Sequence, residues 1–231
     1  MNHWEGNAIY RRSIVALLGL ILLVSFIATL ANRVPSLIVF ADNTSATSTL
    51  WASGYNYYGQ LGDGTTWNKD VPTQESTGAT SWSAIAVGGW YTVALKSDGT
   101  LWAWGRCNYG QLGDGTTADK LTPTQIGSAT NWSVIAVGYY HTVALKSDGT
   151  LWAWGRNNYG QLGDGTTADK LTPTQIGSAT NWSAIAAGVF HTVALKSDGT
   201  LWTWGANYYG QLGDGTTADK DTPTQESTGA T

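Results

Sequence analysis

The sequence predicts an all-β fold, an incomplete β-propeller whose blades are four-stranded sheets of about fifty residues. Three observations predict it. Leu-Trp recurs at positions 50, 101, 151 and 201, at spacings of 51, 50 and 50, and residues 101–150 differ from 151–200 at only five positions. A period of that length marks one supersecondary unit that cannot bury its own apolar surface and must stack on its copies. Within the units, Asp-Gly at 98–99, 148–149 and 198–199 joins two β-rich runs and signals a tight hairpin. These runs are apolar on both faces: Ile135 and Val137 alternate with Ala136 and Gly138, and Leu151 and Ala153 with two tryptophans. Each sheet therefore needs cover on both sides, which sheets packed face to face around an axis provide.

In chain order, residues 13–31 come first, a run of 19 without a charge. As a helix the run would extend about 28 Å, close to the ~30 Å core of a bilayer. Arg11 and Arg12 precede it and only Arg33 follows, so the positive-inside bias places the repeats outside the cytoplasm. The segment is either a membrane anchor or a signal peptide, with Val39-Phe40-Ala41 or Thr29-Leu30-Ala31 as the cleavage site. Residues 1–41 are read as signal peptide or anchor, 42–49 as a polar linker and 50–231 as the repeat domain, either secreted or anchored.

The repeats open with a half unit at 50–75, and three full hairpin-bearing units follow. In the middle unit, 132–138, 142–146 and 151–155 read as strands. Residues 123–126 read as a short outer strand, because a proline without an N–H suits a sheet edge. An open stack leaves an apolar face at each end, where every large exposed side chain forgoes about 1.5 to 3 kcal/mol of burial. Such ends invite self-association. Two copies would bring the same half unit, so simple dimeric closure is not expected.

The segment Trp154-Gly155-Arg156-Asn157-Asn158-Tyr159-Gly160-Gln161-Leu162-Gly163-Asp164-Gly165 resembles one signature of regulator-of-chromosome-condensation repeats. Gly188-Val189-Phe190-His191-Thr192-Val193-Ala194-Leu195 resembles the second. The Gly-Gln-Leu-Gly core recurs as Gly59, Gln60, Leu61, Gly62; as Gly110, Gln111, Leu112, Gly113; as Gly160, Gln161, Leu162, Gly163; and as Gly210, Gln211, Leu212, Gly213. The resemblance covers 50–231 and implies a propeller, usually seven-bladed, that binds proteins. This chain departs from it in having three full units and a half.

Composition narrows the chemistry. Charged residues make up 12%, and the net charge is -4; residues 1–49 contribute three arginines against Glu5 and Asp42, so the remainder is near -5. Seven lysines spread among aspartates do not make the clustered basic surface that nucleic acid requires. Cys107 is the single cysteine, which excludes an intramolecular disulfide, and its sister position holds Asn157. His141 and His191 correspond to Tyr91, which cannot replace histidine as base or ligand, so both read as scaffold that holds backbone at a strand start. Asp63, Asp114, Asp164 and Asp214 read as turn formers in Gly-Asp-Gly-Thr-Thr. No metal, cofactor or catalytic constellation is assigned, and the chain reads as a non-enzyme.

Recognition is sought where near-identical units differ. Two stretches dominate: Gly89-Trp90, Tyr139-Tyr140 and Val189-Phe190; and Tyr55-Asn56-Tyr57, Arg106-Cys107-Asn108, Arg156-Asn157-Asn158 and Ala206-Asn207-Tyr208. Both lie between strands, so they converge on one face with the aromatic and arginine content of protein interfaces. Trp90, Arg106, Tyr139, Tyr140, Arg156 and Phe190 are the candidate contact residues. Of these, Trp90, Tyr140 and Phe190 also suit ordinary blade packing, because their slot is always aromatic. The expected partner is an extracellular or cell-surface protein. A glycan stacked on the loop aromatics is the alternative, and the membrane is a partner through 13–31 if that segment is retained.

Overall fold

The computed structural model describes residues 38–42 and 48–227; the apolar run at 13–31 lies outside the described residues. Four antiparallel sheets follow one another along the chain. The first holds β1 (Ile38–Asp42), β2 (Thr49–Gly54) and β3 (Lys69–Gln74). The second holds β4 (Trp82–Val87), β5 (Tyr91–Lys96), β6 (Leu101–Gly105) and β7 (Lys120–Gln125). The third holds β8 (Trp132–Val137), β9 (His141–Lys146), β10 (Leu151–Gly155) and β11 (Lys170–Gln175). The fourth holds β12 (Trp182–Ala187), β13 (His191–Lys196), β14 (Leu201–Gly205) and β15 (Lys220–Gln225). Consecutive sheets touch through β4, β8 and β12, while the proline-bearing β7, β11 and β15 form the opposite edge. These are the blades of a propeller, three of them four-stranded.

The leading unit differs from the expected half blade. β1 pairs with β2 in the register Val39↔Ala52 and Ala41↔Leu50, the place β5 takes beside β6. The unit therefore has three strands, and the boundary drawn at residues 41 and 42 falls inside one of them. A cut after Ala41 would remove all but the last residue of that strand.

The hairpins form as the Asp-Gly signal requires. Asp148 Oδ1 accepts from the Thr150 backbone N–H at 3.0 Å and from its hydroxyl at 2.6 Å, and the Lys146 N–H reaches Thr150 O at 3.1 Å. The two tryptophans of each Leu-Trp-x-Trp strand point back towards the preceding sheet, while the leucine and the small residue between them face the next. Trp104, Trp154 and Trp204 are almost wholly buried there.

Each indole lies against a glycine of the preceding blade. A Cβ built on Gly62, Gly113 or Gly163 would stand 2.7, 2.6 or 2.7 Å from the Nε1 of Trp104, Trp154 or Trp204, and these glycines have φ near +80°. No side chain fits that space or favours that backbone. The adjoining glutamine carbonyls close the seam. Gln60 O accepts Trp104 Nε1–H at 3.0 Å and the Thr92 hydroxyl at 2.9 Å; Gln111 O accepts Trp154 Nε1–H at 3.0 Å and the Thr142 hydroxyl at 2.8 Å. Gln161 O accepts the Thr192 hydroxyl at 2.8 Å.

At the start of each second strand a further line crosses the blades. The Tyr91 hydroxyl donates to His141 O at 2.6 Å, and His141 Nε2 lies 3.1 Å from the Thr192 hydroxyl. His141 thus meets a neighbouring side chain, where the sequence suggested backbone. Burial pushes its pKa down to about 3, helped by nearby His191.

That depression fixes a pH dependence. Below the ordinary histidine value of about 6.5 the unfolded chain takes up a proton that folded His141 refuses, so stability falls as pH drops. Between pH 7.5 and 5 the loss should be about 2 kcal/mol. His141→Tyr, which installs the residue found at position 91, should flatten that part of the profile. Denaturant midpoints at the two pH values check it; an unchanged slope in the variant would reject the assignment.

Candidate functional site

In an antiparallel meander the loop after the first strand and the loop after the third lie at the same end of the sheet. The structure brings together there the two divergent stretches found in the sequence. Backbone bonds tie them: Arg106 N donates to Trp90 O, Arg156 N to Tyr140 O and Ala206 N to Phe190 O, each at 2.9 Å.

The side chains form a continuous aromatic stack that runs across three blade junctions. Tyr58 lies 5.8 Å from Trp90, Trp90 4.9 Å from Tyr139, and Tyr139 4.5 Å from Tyr140. Tyr109 lies 4.9 Å from Tyr140, Tyr139 6.3 Å from Phe190, and Tyr159 5.3 Å from Phe190. Edge-on and tilted pairs dominate, the geometries in which ring edges meet the electron-rich faces.

Arg106 and Arg156 are set into this stack. The Arg106 guanidinium carbon is 4.6 Å from the Tyr58 ring, 4.7 Å from Trp90 and 5.6 Å from Tyr140. Arg156 is 4.8 Å from Tyr109 and 5.7 Å from both Tyr140 and Phe190. Contacts of this kind are worth about 0.5 to 2 kcal/mol each. The four ion pairs among the described residues all join lysine to aspartate, so neither arginine has a carboxylate partner there. Both are half-buried, held by rings and still reached by solvent.

All six candidate residues therefore share one feature. Tyr139, which the sequence set apart from the packing aromatics, is half-buried like Trp90, Tyr140 and Phe190 and covers Gly89. At the same position Val189 is 56% exposed. Tyr58, Tyr109 and Tyr159 belong to the stack although they escaped the sequence reading, which looked only at positions that vary. Their repetition before Gly-Gln-Leu-Gly was the available signal.

Beneath the stack lies a buried polar knot. Asn56 Nδ2 donates to Asp63 Oδ1 and to Thr65 O, both at 3.0 Å, and its Oδ1 accepts the Leu61 N–H at 2.9 Å. Asn157 and Asn207 repeat the pattern. Lys69, Lys120, Lys170 and Lys220 pair with Asp63, Asp114, Asp164 and Asp214 at 2.9 to 3.1 Å. Burial disfavours these carboxylates, yet lysine and threonine hold all four below their ordinary pKa, Asp214 at about 2. The aspartates are thus occupied in turn architecture.

Cys107 stands where the other units have asparagine. It is buried, and burial pushes its thiol up to about 11. Its sulfur lies 3.3 Å from Thr116 O and keeps the Leu112 backbone N–H as a partner, but Asp114 loses the amide donor its sisters enjoy. Cys107→Asn should restore that network and raise stability by about 1 to 3 kcal/mol. Thermal or denaturant unfolding checks this; a lower midpoint would show that the site cannot take the amide. In the wild type the thiol should resist alkylation at neutral pH until the chain unfolds.

The comparisons with known proteins agree with this architecture. The family model for the regulator of chromosome condensation (RCC1) repeat matches residues 48–95, 98–145, 148–195 and 198–229. The ultraviolet-B receptor UVR8 of Arabidopsis thaliana is 38% identical over 85 residues, covering 36% of this chain and 19% of that protein. The human E3 ubiquitin-protein ligase HERC2 is 34% identical over 91 residues, covering 36% of this chain and 2% of that protein. Among solved structures, human WBSCR16 superposes with a TM-score of 0.72 at 24% identity, over 83% of this chain and 50% of that one. Prp20p of Saccharomyces cerevisiae gives 0.72 at 24% identity, over 82% of this chain and 48% of that one. The two structures share the fold, and the chain spans about half their length and a smaller part of the two sequence relatives.

Proposed function

The chain belongs to the regulator of chromosome condensation repeat family, and from that premise we propose that it is a non-catalytic, protein-binding propeller module whose contact face is the arginine-aromatic stack. The observation that carries this reading is the state of Arg106 and Arg156: two cations held against rings, half-exposed and without carboxylate partners among the described residues. A guanidinium fixed in this way has paid little of its hydration and keeps N–H edges for a bidentate carboxylate. The fitting partner presents acidic side chains beside apolar or aromatic ones. Prp20p, which shares the fold, binds Gsp1p and histones, which supports a protein as the class of partner.

The lysines support protein over nucleic acid. Four are in ion pairs, and Lys96, Lys146 and Lys196 lie 3.7 to 3.9 Å from the ring centroids of Trp102, Trp152 and Trp202. They are distributed structural cations, not a phosphate-tracking surface. The uncharged run at 13–31 behind Arg11 and Arg12 supports a place outside the cytoplasm, where the partner is an extracellular or cell-surface protein.

The test uses peptides selected by display against the full chain, sorted by charge. Acidic, aromatic-containing peptides should dominate and bind with an affinity that falls as salt rises. Arg106→Gln with Arg156→Gln should weaken them at least about tenfold, each lost charge-assisted pair being worth about 1.5 to 3 kcal/mol. Selection of basic or neutral peptides indifferent to both substitutions would sink the proposal, as would saturable binding to cell-wall glycans that the double variant retains.

A further inference from the structure

One position of the repeat faces solvent in every unit: the residue that precedes Tyr58, Tyr109, Tyr159 and Tyr209. Asn108 and Asn158 hold it in the second and third sheets, and both are exposed although each of these sheets has a neighbour before and after it. In the first and fourth sheets the residue is tyrosine. Tyr57 is 65% exposed with the second sheet packed after it, and Tyr208 is 63% exposed with the third packed before it. A neighbour on either side leaves the position open, so the exposure belongs to the place in the unit. Two bare phenol rings thus stand where the inner units carry short amides.

Both rings are joined to the arginine-aromatic stack. Tyr57 meets Tyr58 edge-on at 5.1 Å, and Tyr208 meets Tyr159 edge-on at 5.8 Å. Between them the line of rings runs through Trp90, Tyr139 and Phe190 in steps of 4.9 to 6.3 Å. Arg106 and Arg156 lie inside this line, 5.6 and 5.7 Å from the Tyr140 ring. In the first and fourth units the arginine's own place holds Tyr55 and Ala206, which confines the guanidinium charge to the middle. The cations are central and the two open rings terminal.

Taking that stack as the contact face, we infer that Tyr57 and Tyr208 are its two outer anchors. The occupant is one extended peptide segment of a partner protein, acidic at its middle and bearing an apolar or aromatic side chain towards each end. The order of charge carries this reading: carboxylates meet the two guanidiniums that lack such partners among the described residues, and the ends of the segment meet uncharged rings. A tyrosine offers large contact area at low cost in conformational entropy, so an exposed ring makes an effective anchor. About ten residues of fully extended chain reach from one ring to the other along the line.

The experiment takes an acidic peptide selected against the full chain and measures its affinity at several salt concentrations. The variants are Tyr57→Asn, Tyr208→Asn and the two together, asparagine being what the inner units carry there. Each single substitution should weaken binding about tenfold and the pair about a hundredfold, with the dependence on salt unchanged. Arg106→Gln with Arg156→Gln should instead flatten the salt dependence. Tyr57→Phe and Tyr208→Phe should bind as the wild type does, because the ring and not the hydroxyl makes the contact. Changing the apolar residue at one end of the peptide to alanine should remove the effect of one tyrosine and keep that of the other. Serine replaces asparagine if a variant's unfolding midpoint falls. Full binding by the tyrosine pair with loss in the arginine pair would overturn the anchors and leave the contact face standing. Indifference to the arginine pair would overturn the contact face and the anchors with it. Sensitivity to one tyrosine alone, or to both after either peptide end is changed, would overturn the two-ended arrangement.

Discussion

Every blade is held to the next by an indole seated where no side chain can stand. The seat is a glycine at positive φ, and in the turns that carry Gly62 and Gly163 a buried asparagine bonds across the turn, Cys107 standing at that place in the turn of Gly113. That asparagine depends in turn on an aspartate whose second oxygen is held by lysine: Asn56 to Asp63 at 3.0 Å, Asp63 to Lys69 at 2.9 Å. Surface ion pairs rarely matter much. Here the aspartate side chains are 5 to 10% exposed, and removing the lysine would leave a nearly buried carboxylate against an amide it must orient. The chain of dependence runs from lysine through aspartate, asparagine and glycine to tryptophan, and it explains why the longest identical stretch of the repeats is the one that looks least apolar.

Departures from the repeat show how far the scaffold bends. Glu75 occupies the place of Ile126 and Ile176 and is 3% exposed, which would be costly without partners. It accepts from the Thr77 and Ala79 backbone N–H groups, the Thr77 hydroxyl and, at 3.4 Å, Trp82 Nε1–H. Where isoleucine replaces it, Trp132 and Trp182 have buried Nε1–H groups without a partner. The glutamate thus exchanges apolar burial for polar satisfaction at the same site. Cys107 makes the opposite exchange, retaining burial and losing the amide bond to the aspartate.

Strand positions and the hairpins were legible because period, Asp-Gly turns and two-sided apolar runs are local or repeated signals. β1 was not: Ile38–Asp42 matches the repeat only as Val39-Phe40-Ala41 against Val93-Ala94-Leu95, and the same residues fit the spacing of a cleavage site. Pairing with β2 is a tertiary fact that no local pattern announces. The candidate face was half legible. Divergence pointed to Trp90, Tyr139 and the arginines, but the invariant Tyr58, Tyr109 and Tyr159 were invisible to a search for difference, and the stacking of arginine on ring depends on which loops share one end of the sheet.

The five differences between residues 101–150 and 151–200 now have places. Cys107 and Asn157 lie in the turn; Val134 and Ala184, and Val137 and Ala187, lie on the strands nearest the common axis; Tyr139 and Val189, and Tyr140 and Phe190, lie in the stack. None lies where an indole meets its glycine. A change at the seam needs a matching change in the next blade, because indole and glycine fit only each other, whereas the stack asks of a neighbour only a ring face. The seam therefore holds its sequence while the stack is free to vary, which makes the stack the part of the fold that can acquire a partner without loosening the blades.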